Sequence, residues 1–229
     1  MLVYVCFAYP DEWANTVQHW TQSALRFEEA SGGRWCLPVP CTRFDADFVR
    51  KVQPEVLILS GFGRSFQDFE VRDFYPVAEV VETFTQIPVL AICGSHQLLG
   101  FLFSGTLRQA DRLYDEPMRL RKSGEPIINP DYQPDYFMER GFYELSLHEP
   151  DSLFEGCGSP SILYESHYCE VKKLPPGFKL LASTPECRIQ AMRHVHRPIV
   201  SVQFHPELYT DRFPDGRRFL QNFFQEMLK

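Results

Sequence analysis

Three side chains in this sequence have the types and spacing for nucleophilic chemistry. Cys93 stands inside residues 88–100, PVLAICGSHQLLG, where a short apolar run of the buried-strand type turns into a helix start at His96-Gln97-Leu98-Leu99. Ala91 lies two residues before it, and Gly94 and Ser95 follow directly. That is the pattern of a nucleophile elbow, a sharp strand-to-helix turn whose neighbours must be small for backbones to approach. A thiol there gains from the free N–H groups and dipole of the following helix, which favour the thiolate. Taken alone, the stretch also fits a buried free cysteine at a strand end. The second stretch is residues 199–207, IVSVQFHPE, a strand running into His205, Pro206 and Glu207. Residues at i and i+2 of an extended chain point to the same side, so the imidazole and the carboxylate can lie together. A carboxylate accepting from one ring nitrogen fixes the tautomer and leaves the other to take the thiol proton. Nucleophile, base and orienting acid are thus all present.

The elements around these residues read as alternating strands and helices. Residues 2–8 form an apolar first strand, central in a parallel sheet. A helix is expected from Pro10 to about Ala30, a second strand over 35–39, a short helical stretch over 44–52, a third strand over 55–60 and a helix over 73–86. Stacked βαβ units of this kind give a parallel sheet covered on both faces, with ligands beyond the carboxyl ends of the strands. Gly61 and Cys93 both fall at that edge. From Gly105 the character changes. Residues 107–140 are polar and proline-bearing, and PIINPDYQPDY at 126–136 excludes a regular helix or central strand. This segment reads as a surface excursion, near the site or a plain long loop. Short extended segments follow at 141–147, 161–166, 178–183, 188–193 and 198–204, and an amphipathic helix at 211–229 faces the core with Phe219, Leu220, Phe223, Phe224 and Met227.

The 229 residues suit one domain, 1–229, with 107–140 as an insertion. A net charge of −7 argues against nucleic acid or an anionic membrane as partner. No apolar run is long enough for a signal-peptide core or a membrane helix, and seven irregularly spaced cysteines do not form a disulfide framework, so a reducing cytoplasm is expected.

AICGSHQLLG followed far downstream by QFHPE resembles the class I glutamine amidotransferases, whose elbow reads G-x-C-x-G-x-Q and whose base segment reads H-P-E. Leu57-Ile-Leu-Ser-Gly61 resembles the strand and glycine turn that supply an oxyanion donor, and Glu139-Arg-Gly-Phe-Tyr143 the glycine-aromatic strand. Ser166-His167, Leu174-Pro-Pro-Gly-Phe178, Leu181-Ala-Ser183 and Ile189-Gln-Ala191 resemble the stand-alone, GMP-synthase-like branch. The resemblance implies a flavodoxin-like α/β fold: an open, mostly parallel sheet with helices on both faces, plus a small antiparallel strand set in the second half. It implies attack by Cys93 on the side-chain amide of glutamine or a γ-glutamyl small molecule, with His205 and Glu207 completing the triad. Phe62 and Gly94 N–H groups would form the oxyanion hole, and Gly61, Gln97, Ser166 and His167 would bind substrate, the last two through their backbone. It implies no cofactor and no metal, and a separate synthetase subunit that activates the acceptor of the ammonia. The sequence departs from the family at Ala91 and Ser95 in the elbow, at Phe62 in place of a second glycine, and at Tyr168-Cys169 in place of Gly-Asp, with Glu170 one position late. Because the lost aspartate would meet the substrate's α-amino group, a γ-glutamyl conjugate is a second candidate substrate. A non-catalytic binding module is a third reading.

Other residues carry weaker signals. His194 and His196 could ligate a metal but have no matching partner set, and Cys36 and Cys41 lack a second pair. Cys6 reads as core and His96 as a packing residue of the elbow helix. Tyr132, Tyr136 and Phe137 either line a substrate lid or pin the long segment.

Overall fold

Four stretches of four or five apolar residues set the centre of the molecule. In this computed structural model, which describes residues 1–229, they are β1 (Leu2–Cys6), β3 (Val56–Leu59), β4 (Val89–Ile92) and β9 (Ile199–Val202), and nearly every residue in them is buried. Such runs suit strands covered on both faces. The remaining strands are β2 (Cys36–Pro40), β5 (Glu139–Leu147), β6 (Ser161–His167), β7 (Phe178–Ser183) and β8 (Ala191–His194). One nine-stranded sheet results, in the order β2-β1-β3-β4-β9-β8-β7-β5-β6. The β2-β1-β3-β4-β9 half is parallel, and the strands beyond β9 are antiparallel. Alternate residues of each strand enter opposite cores, as the period of two requires. Leu2, Tyr4, Ile58, Leu90 and Ile92 pack with Trp20, Phe27, Phe219 and Phe223 from α1 (Pro10–Ala30) and α6 (Asp215–Met227). Val3, Val5, Leu57, Leu59 and Ala91 pack with residues of α2 (Ala46–Val52), α3 (Tyr75–Thr83) and α4 (Gly94–Phe103). Each large apolar side chain so buried contributes about 1.5–3 kcal/mol before conformational entropy is counted.

Element boundaries moved where local chemistry competed with periodicity. The helix expected over 73–86 spans only Tyr75–Thr83, because Pro76 sits in its first turn and a 3-10 segment, Val71–Phe74, leads into it. The stretch expected from Phe44 starts at Ala46, since the Asp45 side chain caps it by accepting the Phe48 N–H at 2.7 Å. The C-terminal helix begins after Pro214. Residues 107–140 hold one short helix, α5 (Thr106–Gln109), and otherwise only two isolated bridges, Pro117 to Cys169 and Leu120 to Tyr136. No helix is long and apolar enough to cross a membrane.

Candidate active site

β4 and β9 are parallel neighbours, with Ala91 beside Ser201 and Ile92 beside Val202, so the residues that follow them emerge at the same carboxyl edge. Cys93 ends β4 with φ 52° and ψ −111°, an uncommon backbone for a residue with a side chain. The strain is held by the elbow's anchors. Its N–H donates to the Val202 carbonyl at 2.8 Å, and its carbonyl accepts from His96 and Gln97 in the first turn of α4. Ser95 is fully buried and donates to the Ser60 carbonyl at 2.6 Å, tying the elbow to the turn after β3.

His205 follows β9. Its backbone N–H donates to the Tyr164 carbonyl at 2.8 Å, and Nδ1 stands 2.8 Å from Glu207 Oε1. The pairing of i and i+2 expected from the sequence is therefore present. Glu207 is buried, and the Arg26 guanidinium of α1 holds its backbone carbonyl from beneath. Burial by itself would lower the pKa of His205, but the Glu207 carboxylate and the Cys93 sulfur outweigh it and raise the pKa well above the ordinary histidine range. Gly61 separates the two reactive side chains. A Cβ there would come within 3.0 Å of Cys93 Cβ and 3.1 Å of His205 Cε1, so only glycine leaves both in place. The N–H groups of Phe62 and Gly94 donate to no carbonyl of the chain, and both border the cleft in front of Cys93.

The cleft's far wall comes from the end of β6 and from residues 107–140. The Ser166 carbonyl lies 3.9 Å from Cys93 Sγ. His167 turns its ring away from the cleft: Nδ1 is 2.8 Å from the Cys169 carbonyl, and Nε2 lies 3.0 Å from Glu139 and 3.1 Å from Glu165, all three residues being buried. Burial works to lower its pKa, yet the two carboxylates win and push it up to about 10. His167 thus reaches the cleft by its backbone, and its ring fixes that backbone. Gln97 borders the cleft, but its NH2 is engaged inside, with the Gln203 Oε1 at 3.1 Å and the Cys169 carbonyl at 3.3 Å. Gln203, buried and with its own Nε2 3.6 Å from Cys93 Sγ, belongs to the site although sequence reasoning gave it no role. Its presence in QFHPE was the available signal.

A family model described as glutamine amidotransferase class-I matches residues 36–227. The chain belongs to the class I glutamine amidotransferases. The stand-alone glutamine-hydrolyzing GMP synthase subunit of Pyrococcus furiosus is 31% identical over 178 residues, covering 77% of this chain and 78% of that protein. Anthranilate synthase component 2 of Methanothermobacter marburgensis is 31% identical over 182 residues, covering 78% and 77%. Among solved structures, the corresponding putative GMP synthase subunit from Thermoplasma acidophilum superposes with a TM-score of 0.68 at 23% identity, covering 100% of this chain and 94% of that one. The glutaminase domain of Trypanosoma brucei CTPS, solved with bound acivicin, gives a TM-score of 0.67 at 17% identity, covering 99% and 93%. These two establish the shared fold.

This amidotransferase accommodates its departures from the family pattern in identifiable ways. The Phe62 ring joins Phe7, Phe66, Phe69 and Phe74 and lies against Gly94, where a Cβ would come within 2.6 Å of it. The side chain therefore packs away and leaves the Phe62 N–H at the cleft. Cys169 borders the cleft as a buried thiol whose pKa burial raises, so it presents no charge. Glu170 does not replace the missing aspartate, because it pairs with Lys172 at 2.7 Å outside the cleft. The carboxylate bordering the cleft is Asp115, from the 107–140 segment, which accepts from the Phe66 N–H at 2.8 Å and from the Tyr168 hydroxyl. Arg140 borders it too and is the cation nearest the β6 wall. Tyr132 lines the cleft, edge-on to Tyr168, whereas Phe137 lies under the Arg119 guanidinium and Tyr136 against Tyr168, pinning the segment. The weaker candidates fall elsewhere. His96 is buried between Ser201 and the Ile189 carbonyl, and His194 packs on Phe178 and Phe103. Neither His194 nor His196 belongs to a group of three potential metal ligands; the one such group is Glu139, Glu165 and His167.

Proposed function

We propose that this amidotransferase hydrolyses the side-chain amide of glutamine through a γ-glutamyl thioester on Cys93. The observation that carries the reading is the strained Cys93 elbow beside the hydrogen-bonded His205–Glu207 pair. A cationic imidazole beside a thiol favours the nucleophilic thiolate. Sγ attacks the amide carbon, and the oxyanion is received by the Phe62 and Gly94 N–H groups, one such donor being worth about 2.7–4 kcal/mol in related sites. His205 gives its proton to the departing ammonia. It then takes one from the water that cleaves the thioester, and glutamate leaves. Glu207 holds the ring in register and stabilises its charge. Every step uses side chains, backbone and water.

The relatives are named as a subunit of GMP synthase and a component of anthranilate synthase, at the same 31% identity. Their names support a separate synthetase partner that consumes the ammonia, and their divergence leaves the acceptor to be identified by reconstitution. The test of the thioester reading is ammonia and glutamate release from glutamine by the purified chain, alone and with candidate synthetase partners. It is paired with mass spectrometry after treatment with a glutamine chloroketone. Turnover and a single adduct on Cys93 are expected. Neither turnover nor labelling, from a folded chain, would refute the reading.

A further inference from the structure

Two clefts meet at Cys93. The first, about 370 Å3, contains Gln97, Asp115, Arg140 and Cys169, and its charged pair suits the amino-acid head of a γ-glutamyl group. The second, about 410 Å3, is walled by α1 through Asn15, Thr16, His19 and Trp20, and by His205 and Glu207. The clefts share Phe62, Gly63, Cys93 and Ser166, the residues that surround a reacting carbonyl. His205 borders only the second. Whatever departs with the His205 proton therefore leaves on that side.

Ammonia needs about the volume of one water, ~30 Å3. The second cleft holds more than ten times that. Its walls also have a definite chemistry. Tyr4, Trp20, Tyr164 and Leu208 supply apolar and aromatic surface, and the Trp20 N–H is already given to Thr16 Oγ1 at 2.9 Å. No lysine, arginine or aspartate lines it, and its one carboxylate, Glu207, is committed to His205. Desolvation, with His205 adding to it and Glu207 opposing, holds His19 below the ordinary histidine range, so that ring is neutral at pH 7 and above. The cleft thus offers contact area and polar donors but no counter-ion.

We propose that the second cleft is a leaving-group subsite, and that this site takes, besides glutamine, γ-glutamyl amides of uncharged alkyl or aryl amines. The inference rests on the thioester reading above. Sγ of Cys93 forms a bond to the γ-carbonyl carbon, the C–N bond breaks, and the amine departs with the His205 proton. Water then adds, the C–S bond breaks, and glutamate and the thiol are restored. A γ-glutamyl dipeptide is a poor substrate, because its second carboxylate enters a cleft without a cation and loses its hydration uncompensated.

The test compares kcat/KM of the full-length protein for glutamine, γ-glutamylmethylamide, γ-glutamyl-p-nitroanilide and γ-glutamylglutamate. The methylamide and anilide should be turned over at least as efficiently as glutamine, and γ-glutamylglutamate about 10-fold or more below the methylamide. Asn15→Trp, at an exposed helix position, should lower the anilide-to-glutamine ratio by about 10-fold. Hydrolysis of glutamine with every substituted amide below about 1% of its kcat/KM would overturn the inference while leaving the thioester reading intact, as would an unchanged ratio in Asn15→Trp. Failure on all four substrates, with no labelling of Cys93 by the chloroketone, would instead refute the thioester reading itself.

Discussion

Cys93 keeps a backbone conformation that costs a residue with a side chain on the order of 1–3 kcal/mol, and the contacts of Ser95, Val202 and His96 hold it there. In the proposed mechanism the three triad members do unequal work. Cys93→Ala abolishes turnover, since no thioester forms. His205→Ala is nearly as inactive, because one ring serves as acid and base. Glu207→Gln is milder, since the amide oxygen still accepts from Nδ1 but no longer stabilises the imidazolium. The double Cys93→Ala, His205→Ala variant is about as inactive as either single one, as expected of groups acting as a unit. Turnover of all four variants beside their melting curves checks this, and wild-type turnover in His205→Ala would remove His205 as base. Gly61→Ala tests the spacing. Its new Cβ presses on Cys93 and His205 together, so kcat should fall by about 10²-fold, in keeping with ångström-scale misplacement, while the melting temperature shifts little. Retained kcat would show that the two side chains yield without loss.

The elbow strand, the helix after it and the strand that ends in HPE are legible in the sequence because each is a contiguous run with its own periodicity and turn chemistry. Their meeting is legible too, since β4 and β9 are parallel neighbours whose ends share an edge. What lies out of reach of a single stretch is the wall opposite. Asp115 and Gln203 enter the site, and Arg26 supports it, through contacts between residues far apart in sequence, and no local spacing announces them. The same holds for His167, whose motif position suggested backbone contact with substrate but gave no sign that its ring is caught between Glu139 and Glu165. That cluster joins β5 to the end of β6 and carries a prediction. The pKa of His167 is raised from 6.5 in the open chain to about 10 in the fold. Its contribution to stability is therefore complete below pH 6.5 and is lost as the pH rises through about 10. The raised pKa of Glu165, which burial drives, acts in the same direction. Unfolding free energy should fall across that window with a slope of up to about 1.4 kcal/mol per pH unit for one proton. His167→Gln should flatten this slope, and the comparison is made by denaturant titrations at pH 6, 8 and 10. An equal slope in the variant would assign the linkage to other groups.

At the scale of the whole molecule, the parallel half of the sheet supplies Cys93 and His205, the antiparallel half supplies Ser166 to Cys169, and residues 107–140 close the space between them. That segment has almost no regular structure, so its position depends on a few long-range ties: the bridge from Pro117 to Cys169, the Asp115 bond to Phe66, and Arg119. Arg119 pairs with Glu125 within the segment and with Glu186 in the β7–β8 connection, both at 2.7 Å, while its guanidinium lies 4.0 Å over the Phe137 ring. The three charged side chains are 21%, 26% and 32% exposed, so solvent screens the pairs and each is worth no more than about 1 kcal/mol to global stability. Their geometric effect is larger, because the fork fixes the direction in which residues 126–136 return over the cleft. Arg119→Ala should therefore leave the melting temperature within a few degrees of the parent while raising KM for glutamine by about 5–10-fold, with kcat much less affected, as expected when binding rather than chemistry is loosened. Limited proteolysis should then cut first within 120–136. Steady-state kinetics and a melting curve on the same preparation decide the matter. A large fall in melting temperature with KM unchanged would mean that Arg119 supports the fold and not the cleft.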